Sequence, residues 1–186
     1  MKTDLKNIVL TSLFIALGYV ITLPFRGVMV GGIPLGTIFS PMHLPIFICG
    51  LLCGWKYGLI SGLITPLLVS ILGGMPPLLP SGVVMSVELG TYGLISGLLY
   101  HQLLKIKHPT LRLYASLIIA MLVGRIIYLG AMGIVITLGT YGAYRLDTYL
   151  ETLFIVGSPA IAIQLVFVPL IVRTIQTRLF PNETTQ

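Results

Sequence analysis

Charged residues are scarce in this chain. They make up 9% of its 186 residues, and only five residues are acidic. Because a soluble domain carries about 25% charged residues, a soluble fold is excluded. Hydrophobic residues make up 56% of the sequence, and the mean hydropathy is +1.02. The apolar runs are continuous and do not alternate with a period of two, which predicts an all-α membrane protein and not a β-barrel.

The motifs of several catalytic classes are also missing. The sequence contains no GxxxxGK[ST] loop and no acidic magnesium site, so it does not hydrolyse nucleotides by itself. It contains no GxSxG, no HExxH and no pair of intramembrane aspartates, which argues against an intramembrane enzyme. Its two cysteines, Cys49 and Cys53, have no histidine at ligand spacing, so we expect packing residues and no zinc site. We predict neither a metal nor a cofactor.

Six apolar segments are expected to cross the membrane as helices within a single domain, residues 1–186. They cover residues 7–23, 37–53, 57–72, 81–103, 113–138 and 152–179. The start, MKTDLKNIVL, is followed by no small-residue cleavage site, so the first segment is expected to be retained. Several segments are short, which predicts unwound or re-entrant ends.

The basic residues set the expected orientation, because cytoplasmic loops of membrane proteins are enriched in lysine and arginine. Eight lie on one side, namely Lys2, Lys6, Lys56, Lys105, Lys107, Arg112, Arg173 and Arg178. Arg26 and Arg145 lie on the other side, and Arg125 lies within a span. Both termini are therefore predicted to be cytoplasmic, and the loops 24–36, 73–80 and 138–151 to face outward. The net charge of +6 flanks the spans and does not indicate nucleic-acid binding.

Two stretches carry a family resemblance. They are FSPMHLPIFICGLLCGWKYGLISGLITPLL (39–68) and GMPPLLPSGVVMSVELGTYGLISGLLY (74–100). The chain resembles the S-components of energy-coupling factor (ECF) transporters, which are the vitamin-binding membrane subunits of a branch of ABC importers, and most of all the pantothenate-type members. The resemblance implies a prokaryotic plasma membrane, a transmembrane coupling subunit and two ATPases as partners, and no catalytic activity in the chain itself.

Small residues four apart lie on one helix face and allow another helix to approach closely. The resemblance implies that Ser12 and Ala16 in the first span, where the family has two alanines, contact the coupling subunit. Packing inside this chain is the alternative. For two further pairs, Gly58/Gly62 and Gly93/Gly97, we expect close packing between the third and fourth spans.

Two charges fall inside the spans. Glu88 is the only acidic residue between Asp4 and Asp147, and Arg125 lies midway along the fifth span. A charge in the membrane is costly unless it is paired, which makes both residues functional candidates. One hypothesis is a structural Glu88–Arg125 ion pair. The other is that Arg125 binds the carboxylate of an anionic substrate. Both can hold together.

Five uncharged candidates complete the predicted substrate site. His43 lies between two prolines, where it either satisfies freed backbone carbonyls or faces a cavity. Gln164 either bridges helices or binds a ligand amide. Tyr128 follows Arg125 by three residues and therefore shares its face, either as a packing aromatic or as a hydroxyl donor. Thr91 and Tyr92 follow Glu88 by three and four residues, so we expect them on the face of that carboxylate.

Two outer loops are predicted to cover a pocket that is lined by the fourth to sixth spans. The loop 73–80 is apolar with three prolines, so it is expected to fold over a cavity or to dip into the headgroup region. Met75, Pro76 and Leu78 would be its contact residues. In the loop 24–36, glycines such as Gly31 and Gly32 permit the rearrangement that a gate needs.

The predicted function is capture of a water-soluble vitamin from outside, most of all pantothenate, followed by import with ATP hydrolysis by the partner subunits. Folate, cobalamin and pyridoxine types are alternative substrates. A different class of function is a stand-alone proton-coupled carrier that uses Glu88, since membrane carboxylates serve as proton relays.

Overall fold

The computed structural model describes residues 2–137 and 156–179. Six helical segments in this part of the chain are long and apolar enough to cross a membrane, which confirms the predicted number. The helices are α1 (Lys2–Val20), α2 (Leu35–Phe39), α3 (His43–Cys53), α4 (Trp55–Gly73), α5 (Val83–Leu98), α6 (Pro109–Thr137) and α7 (Ser158–Leu179). Single helical turns at Leu23–Phe25, Leu78–Gly82 and Leu99–Leu103 extend α1 and both ends of α5.

The second span is interrupted, whereas the sequence predicted one segment over residues 37–53. The short α2 ends at Phe39, and Ser40 takes a left-handed conformation with φ of 43° before α3 begins at His43. The cause is Pro41, because a residue before proline is sterically disfavoured in the α-helical region. Pro45 causes no break, since it lies in the first turn of α3, where a backbone N–H has no partner within the helix.

A small hairpin occupies the outer loop 24–36, whose glycines were predicted to permit the rearrangement of a gate. Its strands are β1 (Met29–Val30) and β2 (Ile33–Pro34), and they pair antiparallel around a two-residue turn. The turn consists of Gly31 and Gly32, with φ of 59° and 81°. Two positive φ values define the type I′ turn that suits a tight hairpin, and glycine adopts them without steric cost. The loop is therefore a folded element against α2.

The fifth helix is the centre of the bundle, with α3, α4 and α6 packed around it. Glycines bring α4 and α5 into backbone contact: a Cβ added at Gly58 would meet the carbonyl of Gly93, and one at Gly62 would meet the backbone of Leu89. The predicted close packing of the third and fourth spans is confirmed. It fixes the height of Glu88, the neighbour of Leu89, relative to the rest of the bundle.

The two ends of the bundle differ in character. At one end the guanidinium of Arg112 lies 4.6 Å from the ring centroid of Tyr100, and Arg173 hydrogen-bonds to Thr110. At the other end lie the hairpin, the segment after Gly73 and the beginning of α7. The first end carries the basic residues that predict a cytoplasmic face, so the second is the end that is predicted to face outward.

Candidate functional site

A cavity of about 360 Å³ opens at the predicted outward end. Its lining combines the ends of helices with both outer loops. Among the described residues it comprises Thr22, Phe25, Arg26, Gly27, Pro34, Gly36, Thr37, Ser40, Pro41, Met42, His43, Val69, Met75, Pro76, Pro77, Ser81, Met85, Glu88, Arg125, Tyr128 and Gly157. The break between α2 and α3 thus faces the cavity; His43 was predicted there from the sequence, whereas the break itself was not.

Glu88 and Arg125 meet in the wall of this cavity. The Nε of Arg125 lies 3.9 Å from Oε1 of Glu88, and the same carboxylate oxygen accepts a hydrogen bond from the hydroxyl of Tyr92 at 2.6 Å. Glu88 is 3% exposed, so its charge is almost fully removed from solvent. An ion pair and a charge-assisted hydrogen bond both offset that cost. The predicted pairing of the two intramembrane charges is therefore present.

Tyr92 supports the carboxylate from behind the cavity and is not part of its described lining. Its ring is 1% exposed and stacks on Phe47 with centroids 5.0 Å apart. A Cβ added at Gly124 of α6 would collide with this ring, so the glycine makes room for it. Tyr92 is thus held by packing on α3 and α6, which fixes the direction of its hydroxyl toward Glu88.

His43 lies between Tyr92 and the cavity. Its ring centroid is 5.6 Å from that of Tyr92, and the residue is 4% exposed. Within the described part of the chain its Nδ1 makes no hydrogen bond of good geometry. A buried nitrogen without a partner is costly, so a ligand group that hydrogen-bonds to it would be stabilised. The backbone of Ser40, next to Pro41, also interacts with this imidazole, so the alternative expected from the sequence, contact with backbone beside the prolines, is compatible with the structure as well.

Of the three remaining uncharged candidates, one lines the cavity and two do not. Tyr128 is 8% exposed and lines the cavity beside Arg125. The hydroxyl of Thr91 donates to the carbonyl of Val87 at 2.8 Å, and Thr91 is not among the described lining residues. Gln164 is 2% exposed and also lies apart from that lining, with its Nε2 unpaired among residues 2–137 and 156–179. The structure thus brings Tyr128 to the pair and leaves Thr91 and Gln164 aside.

Of the residues predicted to cover the pocket, only some line the cavity. Met75 and Pro76 line the cavity, whereas Leu78 is 43% exposed and is not in the described lining. Gly31 and Gly32 form the exposed tip of the hairpin, beyond the cavity wall. The loop 138–151, which was also predicted to face outward, lies outside the described residues.

Arg26 is a lining residue that was not selected from the sequence as a site candidate. It follows the turn Leu23–Phe25 and is half-buried. A signal for it existed, because Arg26 is one of only two basic residues on the outward side, where the positive-inside rule predicts few. A cation that departs from that pattern next to a span indicates a local role.

Ser12 and Ala16 lie on the lipid-facing side of α1, both exposed. They border a shallow groove of about 420 Å³ between α1 and α4. The hydroxyl of Ser12 donates to the carbonyl of Ile8 at 3.0 Å, so it is satisfied within its own helix. Within residues 2–137 and 156–179, both side chains are exposed and are not covered by another helix of this chain.

Residues 6–176 match the family model described as "ECF transporter, substrate-specific component". This range includes every described residue of the cavity lining. Searches among curated proteins and among solved structures found no match.

Proposed function

Since the chain belongs to the family of substrate-specific components of ECF transporters, we propose that it captures a small acidic vitamin, most of all pantothenate, at the outward end of the bundle. Members of this family are substrate-binding subunits of a transport module and not enzymes. The observation that carries the proposal is the outward cavity with the Glu88–Arg125 pair in its wall.

Cavity size supports a small substrate. Small-molecule sites span about 300–1,000 Å³, and this one has about 360 Å³, which disfavours bulky vitamins of the cobalamin and folate types. Its described lining contains few aromatic rings, among them Phe25 and Tyr128, so a flat aromatic vitamin such as pyridoxine would find little stacking surface. Pantothenate is flexible and anionic and carries hydroxyl and amide groups that suit arginine, histidine and tyrosine partners.

We propose direct ligand contacts for the lining residues Arg125, Glu88, His43 and Tyr128. Arg125 can donate from nitrogens other than the Nε that faces Glu88, since a guanidinium presents five N–H donors. Tyr92 would act by holding Glu88, because its hydroxyl is committed to that carboxylate. Gln164 and Thr91 would reach the ligand only if the cavity changes shape on binding, and the same holds for Leu78, Gly31 and Gly32 as parts of a closing lid.

The family implies a coupling subunit and ATPases as partners of this multi-pass membrane protein. We propose that the exposed Ser12 and Ala16 face of α1 contacts the coupling subunit, in a prokaryotic plasma membrane. Small exposed side chains beside a groove support this, since they let a partner helix approach closely. A proton-coupled carrier is less well supported, because Glu88 is engaged by both Arg125 and Tyr92.

The proposal is tested by a thermal-shift screen of the purified chain against a panel of vitamins. We expect pantothenate to stabilise the wild-type protein, and Arg125→Ala to fold but to bind pantothenate at least about tenfold more weakly. Unchanged affinity in Arg125→Ala would restrict Arg125 to a structural role.

Transport is tested separately in vesicles. The chain alone should bind but not accumulate pantothenate, and uptake should require the ATPases. Accumulation by the chain alone, driven by a proton gradient without ATP, would establish the carrier function instead.

A further inference from the structure

Arg26 is a cation of the cavity without an acidic partner in the described chain. It lines the cavity, and its Nε and Nη2 are buried and have no hydrogen-bond partner among the residues that the structure describes. No carboxylate within residues 2–137 and 156–179 forms an ion pair with it. Arg125, in contrast, lies beside Glu88. The described lining therefore holds two guanidinium groups and one carboxylate.

The guanidinium of Arg26 packs against two residues, Tyr19 and Gly73. Its Cζ lies 5.0 Å from the ring centroid of Tyr19, a distance that permits a cation–π interaction. The guanidinium also contacts Gly73, because this residue has no side chain: an added Cβ would overlap the guanidinium. Tyr19 and Gly73 are at the outer ends of α1 and α4. Tyr19 and Gly73 position the cation at the cavity, but Nε and Nη2 find no hydrogen-bond acceptor there or elsewhere in the described chain.

The two arginines therefore differ in how much an acidic ligand can stabilise them. An anion brought to Arg125 competes with Glu88 for the same guanidinium. An anion brought to Arg26 meets a partly desolvated cation whose Nε and Nη2 have no acceptor within residues 2–137 and 156–179, and a guanidinium binds a carboxylate in a bidentate, charge-assisted geometry. We therefore expect an acidic group to gain more free energy at Arg26 than at Arg125.

We infer that Arg26 binds the acidic group of the transported ligand and that Gly73 positions Arg26 for this contact, while the Glu88–Arg125 pair binds a neutral polar part. The inference rests on the proposed function and names the ligand class as a small monocarboxylic acid. It also predicts that Arg26 sets the preference for acid over neutral analogue, whereas Arg125 contributes to the binding of both.

The test compares the dissociation constants of pantothenate and its uncharged alcohol, panthenol, for the full chain in lipid nanodiscs. Wild type should prefer the acid by about 10- to 100-fold, the effect of one charge-assisted contact. Arg26→Gln should abolish this preference and leave the affinity for panthenol nearly unchanged. Arg125→Gln should weaken both ligands alike. Arg173→Gln, at the opposite end of the bundle, is the matched control and should retain the preference.

A second variant guards against a folding effect. Gly73→Ala adds a methyl group where the flexible end of Arg26 lies, and the residue has no left-handed backbone that would forbid alanine. It should fold and lose most of the acid preference. Gly130→Ala, at an open position of α6, is its control. Retention of the acid preference in Arg26→Gln would overturn the inference, and so would its loss in Arg125→Gln with Arg26→Gln unaffected.

Different results would refute the pantothenate assignment and the proposed role of Arg26. If neither pantothenate nor panthenol binds, the pantothenate assignment is wrong, and the same comparison is made with nicotinate and nicotinamide and with biotin and biotinamide. In any pair that binds, the preference for the acid must disappear in Arg26→Gln. Absence of an acid preference in wild type for all three pairs would overturn the role of Arg26.

Discussion

Removing the charge of Glu88 should destabilise the ligand-free protein through Arg125. In wild type the carboxylate lies 3.9 Å from Nε of Arg125 and accepts the hydroxyl of Tyr92 at 2.6 Å. Glu88→Gln keeps the shape of the side chain and an oxygen that Tyr92 can donate to. The guanidinium of Arg125, whose side chain is 12% exposed, would be left without its counter-charge.

The magnitude follows from burial and distance. Breaking a fully buried ion pair by removing one partner costs about 3–5 kcal/mol. Here the contact is a single one near the distance limit of an ion pair, and Arg125 borders an open cavity. We therefore expect a cost at or below the lower limit of that range, about 2–3 kcal/mol, for Glu88→Gln and for Arg125→Gln. The double variant removes both charges and should cost little more than one single change, which gives a coupling energy of about 1–3 kcal/mol.

The assay is equilibrium unfolding of all four proteins in the same detergent or bicelle, followed by circular dichroism without ligand. Arg173→Gln is the control, since Arg173 is an exposed residue at the other end of the bundle and its loss should change the free energy of unfolding by less than about 0.5 kcal/mol. If the two single effects simply add, within about 0.5 kcal/mol, the two groups are not energetically coupled and the ion-pair argument is refuted.

Two further predictions concern packing and assembly. Gly62→Ala should destabilise the protein by about 1–3 kcal/mol, because its Cβ would meet the backbone of Leu89. Gly130→Ala is the control: it has open space around it and should not change stability in the same unfolding assay. Equal effects of the two changes would contradict the close packing of α4 on α5. Ala16→Trp should lower co-purification with the coupling subunit and ATP-dependent uptake without changing pantothenate affinity, whereas Ile118→Trp on the exposed face of α6 should change neither. Normal uptake by Ala16→Trp would place the coupling interface elsewhere.

The membrane spans could be predicted from sequence because their signal is local. Six long apolar runs have no other low-energy state than helices in a bilayer, since every backbone polar group must be satisfied within its own segment. The pairing of Glu88 with Arg125 was predictable for a related reason: two isolated charges inside the spans each need a partner, and few others are available. Their height within the bundle also depends on the glycine contacts of α4 and α5, which the spacing of Gly58 and Gly62 indicated.

The cavity wall was less predictable, because it is built where helices end. The break at Ser40 turns α2 and α3 toward the cavity, and no periodicity reports the direction of such a turn. A Gly31–Gly32 pair between short apolar strands is a hairpin signal, but glycines in a loop also permit flexibility, which is the role predicted for them above. The position of Arg26 depends on the end of α4, 47 residues further along the chain at Gly73, a tertiary contact without a local pattern.

The scarcity of charge that identifies a membrane protein also makes the charges of the cavity informative. In a bilayer each uncompensated charge raises the free energy of the folded state, so an arginine at the end of a span that pairs with no described acid needs another source of stabilisation. Glu88 can compensate one arginine, and the ion pair commits it to Arg125. A ligand that brings its own carboxylate would compensate Arg26. The preference for acid over neutral ligand, and not total affinity, is therefore the quantity that separates a substrate-binding arginine from a structural one.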